Sequence, residues 1–167
     1  MKLIAEKLGK SDKNDRLRFV RADGTQTQTV MPRQGTLPHD LVHFVIESAV
    51  PLEHGFLSQI ASGSDAGFVM QAVHDRADAT VDAEAIQVEA MVEALQTQLW
   101  AGSFEVDAFL HGVRSASAAR GKAAFDLSDM DPQTKLYEPA LALFERWNRV
   151  PYYQGMELSF CPGKPSP

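Results

Sequence analysis

Two histidines and two carboxylic acids fall on one face of a predicted helix. When residues 37–50 are projected onto a helix, His39, Asp40, His43 and Glu47 lie within an arc of roughly 100°. The remaining positions are mostly apolar, so we expect this helix to be buried. Buried imidazoles and carboxylates need polar partners, because unpaired charge away from water is costly. The sequence therefore predicts a polar site on this helix.

The spacing of the two histidines is compatible with metal binding, because side chains four positions apart lie one turn apart on the same face. His39 and Glu47 are separated by about 12 Å along the axis, so we expect one ion to take both histidines and a third group from elsewhere. The groups that could complete the site include His74 and His111. The candidate metal ligands are His39, His43, Glu47, Glu53 and His54. The candidate catalytic carboxylates are Asp40 and Glu47, and the candidate ions are zinc, nickel, manganese and iron.

The same residues also allow metal-free interpretations. The histidines can be core residues that hydrogen-bond to Asp40, Glu47 or backbone carbonyls, or they can form a contact between copies of the chain. They can act as acid and base on a small molecule, since desolvated groups of this kind have shifted pKa values. In a shallow groove they would titrate near pH 6.5. The sequence assigns no activity and leaves open whether the protein is an enzyme.

The segment from His39 to His43 resembles two known motifs. It resembles the zinc-protease signature His-Glu-x-x-His, with Asp40 in place of the glutamate. Over about fifteen residues it is also similar to the His-Asp-x-x-His signature of the ubiquinone-biosynthesis scaffold family, in which a glutamate follows after eleven residues. Gly55 occupies that position here. The second resemblance implies a metal-bearing helical protein that handles a prenylated quinone precursor, with His39, Asp40 and His43 as the matched positions.

Length and charge limit the classes of protein and partner. A chain of 167 residues predicts one globular domain over residues 1–160, followed by a flexible tail at 161–167. The net charge of -6 argues against nucleic acid or an anionic membrane as the main partner, because both attract basic proteins. The candidate partners are a small-molecule ligand and a second copy of the chain, and in the non-catalytic interpretation the function is to bind another protein.

Cysteine content and hydropathy indicate a cytoplasmic protein. The single cysteine, Cys161, cannot form an internal disulfide, which fits a reducing compartment. The segment at 1–7 becomes charged too early for a signal peptide, and no apolar run approaches about 18 residues.

The pattern of the chain predicts an α+β domain that is mostly helical, with a small antiparallel sheet. Residues 16–21 and 26–31 alternate around Asp23 and Gly24, which is typical of a β-hairpin. Residues 155–160 also alternate, and we expect them to return as a strand beside this hairpin. The predicted helices cover residues 37–50, 56–61, 68–73, 82–102 and 104–116, and a last helical region begins at 131 and includes Trp147, where Pro139 must kink the helix or start a second segment.

The clearest helical periodicity lies between Asp82 and Gly102. Its apolar stripe comprises Val88, Met91, Val92, Leu95 and Leu99. We therefore expect the acidic residues Glu84, Glu89 and Glu93 to face away from the core.

Overall fold

The computed structural model describes residues 1–69 and 83–163. An antiparallel sheet carries helices on one face, which confirms the predicted α+β class. The strands are β1 (Lys2–Glu6), β2 (Asn14–Val20), β3 (Gln26–Pro32) and β4 (Gly155–Ser159). The α-helices are α1 (His39–Ala49), α2 (Phe56–Ala61), α3 (Ala83–Ala101), α4 (Val106–Ala119) and α5 (Glu138–Arg149), and a π-helix covers Gln133–Tyr137.

The sheet joins both ends of the described chain. Its strand order is β3-β2-β1-β4, and every pair is antiparallel. Because successive strand residues point to opposite faces, alternate apolar side chains reach the core. The residues on this inner face include Leu3, Ala5, Leu17, Phe19, Met31, Met156 and Leu158. The predicted return of the C-terminal strand is confirmed, since Leu3 pairs with Leu158.

The predicted hairpin is also confirmed. Val20 of β2 pairs with Gln26 of β3, and the connection turns at Gly24 with a φ of 84°. This left-handed conformation is accessible to glycine without a steric penalty, which explains the Asp-Gly signal in the sequence.

Helix α1 lies at the centre of the molecule and contacts α2, α3, the π-helix and α5. It begins at His39. Pro38 occupies the N-cap position and makes no side-chain capping hydrogen bond. The Pro38 carbonyl accepts hydrogen bonds from the backbone amides of Leu41 and Val42. The helix ends at Ala49 because Val50 precedes Pro51 and is extended, as residues before proline usually are.

The later helices match their predicted positions within a few residues. Gly102 follows α3 with a φ of 69°, which is the usual glycine termination of a helix. The π-helix runs directly into α5, and Pro139 lies in the first turn of α5, where its missing N–H is tolerated. Residues 66–69 are helical, but the rest of the helix predicted at 68–73 lies outside the described residues, as does the tail from residue 164. Within the described ranges no helix combines the length and apolarity needed to cross a membrane.

Candidate metal centre

Three side chains from α1 and α3 converge between the two helices. His39 and His43 lie on successive turns of α1, and Glu89 lies near the middle of α3. The Nε2 atom of His39 is 3.2 Å from Glu89 Oε1, and the Nε2 atom of His43 is 3.2 Å from Glu89 Oε2. One carboxylate therefore faces two imidazoles, one with each of its oxygens.

The spacing of these atoms matches that of ligands around a metal ion. The three groups each offer one ligand atom, and these atoms lie within 4.8 Å of one another. Tetrahedral zinc with bonds of about 2.1 Å holds its ligand atoms about 3.4 Å apart. The observed nitrogen–oxygen separations of 3.2 Å are close to that value. The group of His39, His43 and Glu89 could hold a metal ion.

The two nitrogens of His43 have different surroundings. Nδ1 lies 3.2 Å from Glu47 Oε1 in a hydrogen bond one helical turn along α1. Nε2 is buried and has no hydrogen-bond partner among the described residues, although Glu89 Oε2 is near, so that contact is an ion pair without hydrogen-bond alignment. A carboxylate on one ring nitrogen fixes the tautomer and leaves the other nitrogen available as a metal ligand.

Glu47 is itself held in place by the turn that follows α1. Its Oε2 accepts a hydrogen bond of 2.9 Å from the backbone amide of Leu57 in α2. Gly55 allows this approach, because a Cβ atom at that position would overlap the Glu47 carboxylate. The side chain that orients His43 is therefore fixed by a second helix.

Asp40 is the third carboxylate at this position. It is 1% exposed, and its Oδ1 has no hydrogen-bond partner among the described residues. Burial raises the pKa of Asp40, and the positive charge on His39 and His43 opposes that shift. The carboxyl group is therefore able to hold a proton at a higher pH than an exposed aspartate.

The pKa values of the neighbouring groups shift in different directions. Burial alone would lower the pKa of His43, but the hydrogen bond with Glu47 and the negative charges of Glu47 and Glu89 raise it to about 10. Burial raises the pKa of Glu47, with partial compensation by His43. Burial would also raise the pKa of Glu89, but its contacts with His39 and His43 outweigh it and lower the pKa. Without a metal, His43 is a proton-bearing group between two acids.

Negative charge exceeds permanent positive charge at the centre. Asp40, Glu47 and Glu89 are each at most 3% exposed. The charge of Glu89 acts on Arg120, but the guanidinium of Arg120 donates its hydrogen bonds to the Glu93 carboxylate and the Ala116 carbonyl. Buried carboxylates must be neutralised by protons or by a cation, so this cluster either holds protons or could hold a cation.

Aromatic packing encloses one side of the centre. The ring of His43 lies 5.0 Å from that of Phe56, which in turn lies 6.2 Å from the ring of Phe19 in β2. The side chain of His39 is 16% exposed, in contrast to 2% for His43. His39 is therefore the more exposed of the two histidines.

The other predicted site residues lie apart from this group. Glu53 and His54 are exposed, and their backbone amides donate hydrogen bonds to Glu84 Oε2. His111 is exposed on α4, where its Nε2 lies 3.4 Å from the Ser115 hydroxyl. His74 lies outside the described residues. Glu47 reaches the group only through His43.

The prediction that Glu89 faces away from the core is wrong. Glu89 is 3% exposed and meets both histidines. A single apolar stripe would leave the acidic residues on one solvent face. Helix α3 is instead buried on most sides, and Val88 and Ala90 next to Glu89 are also buried. A carboxylate between buried neighbours in a long apolar helix was the signal that could have identified this ligand.

Comparison with known proteins identifies no relative: no family model, curated protein or solved structure matches the chain. The resemblance to the His-Asp-x-x-His family therefore stays a prediction. At the position where that family has a glutamate, Gly55 packs against the Glu47 carboxylate.

Proposed function

We propose that the protein binds a divalent transition-metal ion through His39 Nε2, His43 Nε2 and the Glu89 carboxylate. The observation that carries this proposal is the buried Nε2 of His43, which has no hydrogen bond to any described residue and faces a carboxylate shared with His39. A buried polar atom without a hydrogen bond is rare in a native protein and requires an explanation. A metal ion at this position would bind His43 Nε2 directly, in addition to the ion pair that Nε2 forms with Glu89.

The donor set narrows the choice of ion. Two imidazoles and one carboxylate are typical ligands of zinc in catalytic sites, and the same combination also binds non-haem iron(II). Nickel and manganese are alternative occupants. Zinc is the ion that we expect first, because it binds imidazole and carboxylate ligands, and the observed separations of 3.2 Å are close to those around tetrahedral zinc.

The neighbouring residues have roles that follow from their contacts. A bound divalent ion supplies Lewis acidity. Glu47 keeps the proton on His43 Nδ1 and so keeps Nε2 directed toward the ion. Asp40 is the carboxylate next to the site that can accept a proton, since burial raises its pKa.

Metal analysis of protein that carries no histidine tag tests the proposal. We expect about one equivalent of zinc, or another divalent ion, after purification and dialysis. Glu89→Gln keeps the size of the side chain but removes the charged ligand, so it should lose the metal. Glu93→Gln is a matched control one turn further along α3, because Glu93 pairs with Arg120 instead. It should retain the metal.

A metal-free wild-type protein that also fails to take up added zinc, nickel, manganese or iron would contradict the proposal. Circular dichroism of each variant shows whether it is still folded, and so distinguishes the loss of a metal ligand from unfolding. Equal metal content in Glu89→Gln and Glu93→Gln would likewise exclude Glu89 as a ligand.

One observation favours a structural network as the second candidate. His43 lies 3.2 Å from both Glu47 and Glu89, and these acids raise its pKa to about 10. A protonated His43 between two carboxylates would stabilise the packing of α1 on α3 without any ion. In that case chelators would leave the melting temperature unchanged, and Glu93→Gln and Glu89→Gln would differ in stability but not in metal content.

A further inference from the structure

A cavity of about 670 Å³ lies on the side of α1 that faces away from the metal centre. It is bounded by α1, residues 129–131, the π-helix and α5. In a helical projection, its residues at 44, 45, 48 and 49 fall about 140–280° from His39, whereas the site residues span about 0–100°. Helix α1 therefore separates the two features. The volume lies within the range of about 300–1,000 Å³ that is typical of small-molecule sites.

The wall of the cavity is largely apolar. Phe44 and Val45 of α1 face Pro139 and Leu143 of α5, and Met130 contributes from the preceding loop. Apolar walls of this kind bind the hydrocarbon part of a ligand by removing it from water.

One polar atom in the wall lacks a partner. Ser48 is 9% exposed, and its Oγ is buried without a hydrogen bond to any residue that the structure describes. A helical serine commonly bonds to the carbonyl four residues earlier, but Ser48 does not. A ligand in the cavity could provide the missing hydrogen bond.

Two cations at the cavity are also without an acidic partner. Lys135 of the π-helix and Arg146 of α5 line it, and neither forms an ion pair with a residue in the described ranges. The π-helix that presents Lys135 is a rare element that often occurs at functional sites. Both side chains are exposed, so they can pair with a ligand at the mouth of the cavity.

Two carboxylates share the lining, and one of them has local partners. Asp131 accepts hydrogen bonds from the Gln133 amide and the Thr134 hydroxyl at the start of the π-helix. Asp129 is exposed and would repel an anion. Removal of the Asp129 charge should therefore strengthen the binding of an anion in this cavity.

We propose that this cavity binds a small acidic amphiphile, with its hydrocarbon part against the apolar wall and its carboxylate between Lys135 and Arg146. The proposal is independent of the metal centre. Decanoate below its micellar concentration is a suitable probe, and methyl decanoate is its uncharged counterpart. We expect saturable binding of decanoate by isothermal titration and by NMR, with shifts confined to the cavity residues of α1, the π-helix and α5.

Substitutions test separately whether the carboxylate binds at the two cations and whether the hydrocarbon part binds at the apolar wall. Lys135→Gln and Arg146→Gln should each weaken decanoate binding about threefold, and the double variant about tenfold, with little effect on methyl decanoate. Arg149→Gln is the matched control, because Arg149 lies on the same helix, pairs with Glu145 and does not line the cavity. Asp129→Asn should tighten decanoate binding. Ala142→Phe, at an exposed position of the wall, should weaken both probes.

Several results would overturn the proposal. One is the absence of saturable binding of decanoate at millimolar concentration, and another is equal affinity for decanoate and its methyl ester. Shifts located outside the cavity would also overturn it. Vesicles of phosphatidylglycerol supply the same chemistry as a membrane surface, and we expect no cosedimentation with them. Cosedimentation that requires Lys135 and Arg146 would show that these residues bind a membrane surface instead of a soluble ligand, and it would contradict the proposal.

Discussion

His43 has a different neighbour on each ring nitrogen. Nδ1 hydrogen-bonds to Glu47, while Nε2 lies near Glu89 without hydrogen-bond alignment. With a metal bound, these contacts would place the proton on Nδ1 and the lone pair on Nε2. If the proposed ion binds, Glu47 would influence its affinity without contacting it.

Replacement of Glu47 by glutamine tests this indirect role. Glu47→Gln keeps the size of the side chain but removes the charge that holds the Nδ1 proton, so metal affinity should fall about 10–100-fold. The ion should still bind at saturating concentration, because the three ligands remain. A competition titration with a fluorescent chelator measures the change. Glu53→Gln is the control, since Glu53 is exposed. A larger loss in Glu53→Gln than in Glu47→Gln would contradict this assignment.

The sequence identified two of the three proposed ligands. His39 and His43 lie on adjacent turns of one helix, and helical periodicity alone places them together. Glu89 lies fifty positions later, and only the packing of α1 against α3 brings it to the histidines. Local spacing contains no information on that packing, whereas the surrounding apolar run of α3 indicated burial.

Helices α1 and α2 approach closely at Gly55. The backbone there has a φ of -63° and a ψ of 172°, which alanine also adopts readily. The need for glycine is therefore steric, because a Cβ atom would overlap the Glu47 carboxylate.

Gly55→Ala should displace Glu47 and lower both stability and metal affinity. Overpacking of this kind costs about 1–3 kcal/mol, which urea denaturation can measure. The cost should nearly vanish when Glu47 is first replaced by alanine, since the overlapping atoms are then absent. A double-mutant cycle of the two positions gives the coupling energy. An unchanged cost in the Glu47→Ala background would show that Gly55 acts through other contacts.

The sheet has a buried acid of its own. Asp15 of β2 is 2% exposed, and its carboxylate takes two hydrogen bonds from Arg33, which follows β3. Arg33 also donates to the backbone carbonyls of Gly9 and Lys10. One guanidinium thus joins two strands and the turn between β1 and β2.

Arg33→Gln should destabilise the protein by about 3 kcal/mol, because it leaves a buried carboxylate without its cation. Adding Asp15→Asn should recover part of this loss, since the buried charge is then removed as well. Chemical denaturation of the three variants measures both values. The metal content should be unchanged, and a metal loss in folded Arg33→Gln would contradict the separation of the sheet from the metal centre.

Local sequence patterns predicted some of the helices and strands better than others. The hairpin, the C-terminal strand and the limits of α1 and α3 follow from turn residues, alternation and proline positions, all of which are local. The π-helix was not predicted, because Pro139 indicated only an interruption. Whether the interruption becomes a kink or a π-helix depends on contacts with α1 and α3, which a local pattern does not contain.

At the scale of the whole molecule, the proposed ion would connect α1 and α3 across the core. A ligand that binds only the folded state stabilises it by about 2.7 kcal/mol at a concentration one hundred times its dissociation constant. For a chain of this length, that corresponds to a rise in melting temperature of roughly 5–10 °C. Chelation should reverse the rise.

Between pH 6.5 and 10, titration of His43 should destabilise the metal-free protein and leave the stability of the metal-bound protein nearly constant. The pKa of His43 is raised to about 10, above the unfolded value near 6.5, by Glu47 and Glu89. Its protonation therefore stabilises the metal-free fold fully below pH 6.5, and this contribution is lost as the pH rises toward 10. Zinc must displace a proton from the same imidazole, so its affinity should increase over that interval.

Melting temperatures measured from pH 6.5 to 9, with zinc and with chelator, test both expectations, because only the curve with chelator should fall through the titration of His43. We expect the difference between the two curves to widen as the pH rises. Titration calorimetry in buffers of different ionisation enthalpy should also detect proton release on zinc binding at pH 7. His111→Asn, which changes an exposed histidine on α4, should behave as the wild type. Metal binding with no proton release, and with a difference that stays constant across pH, would show that the ion does not bind at His43.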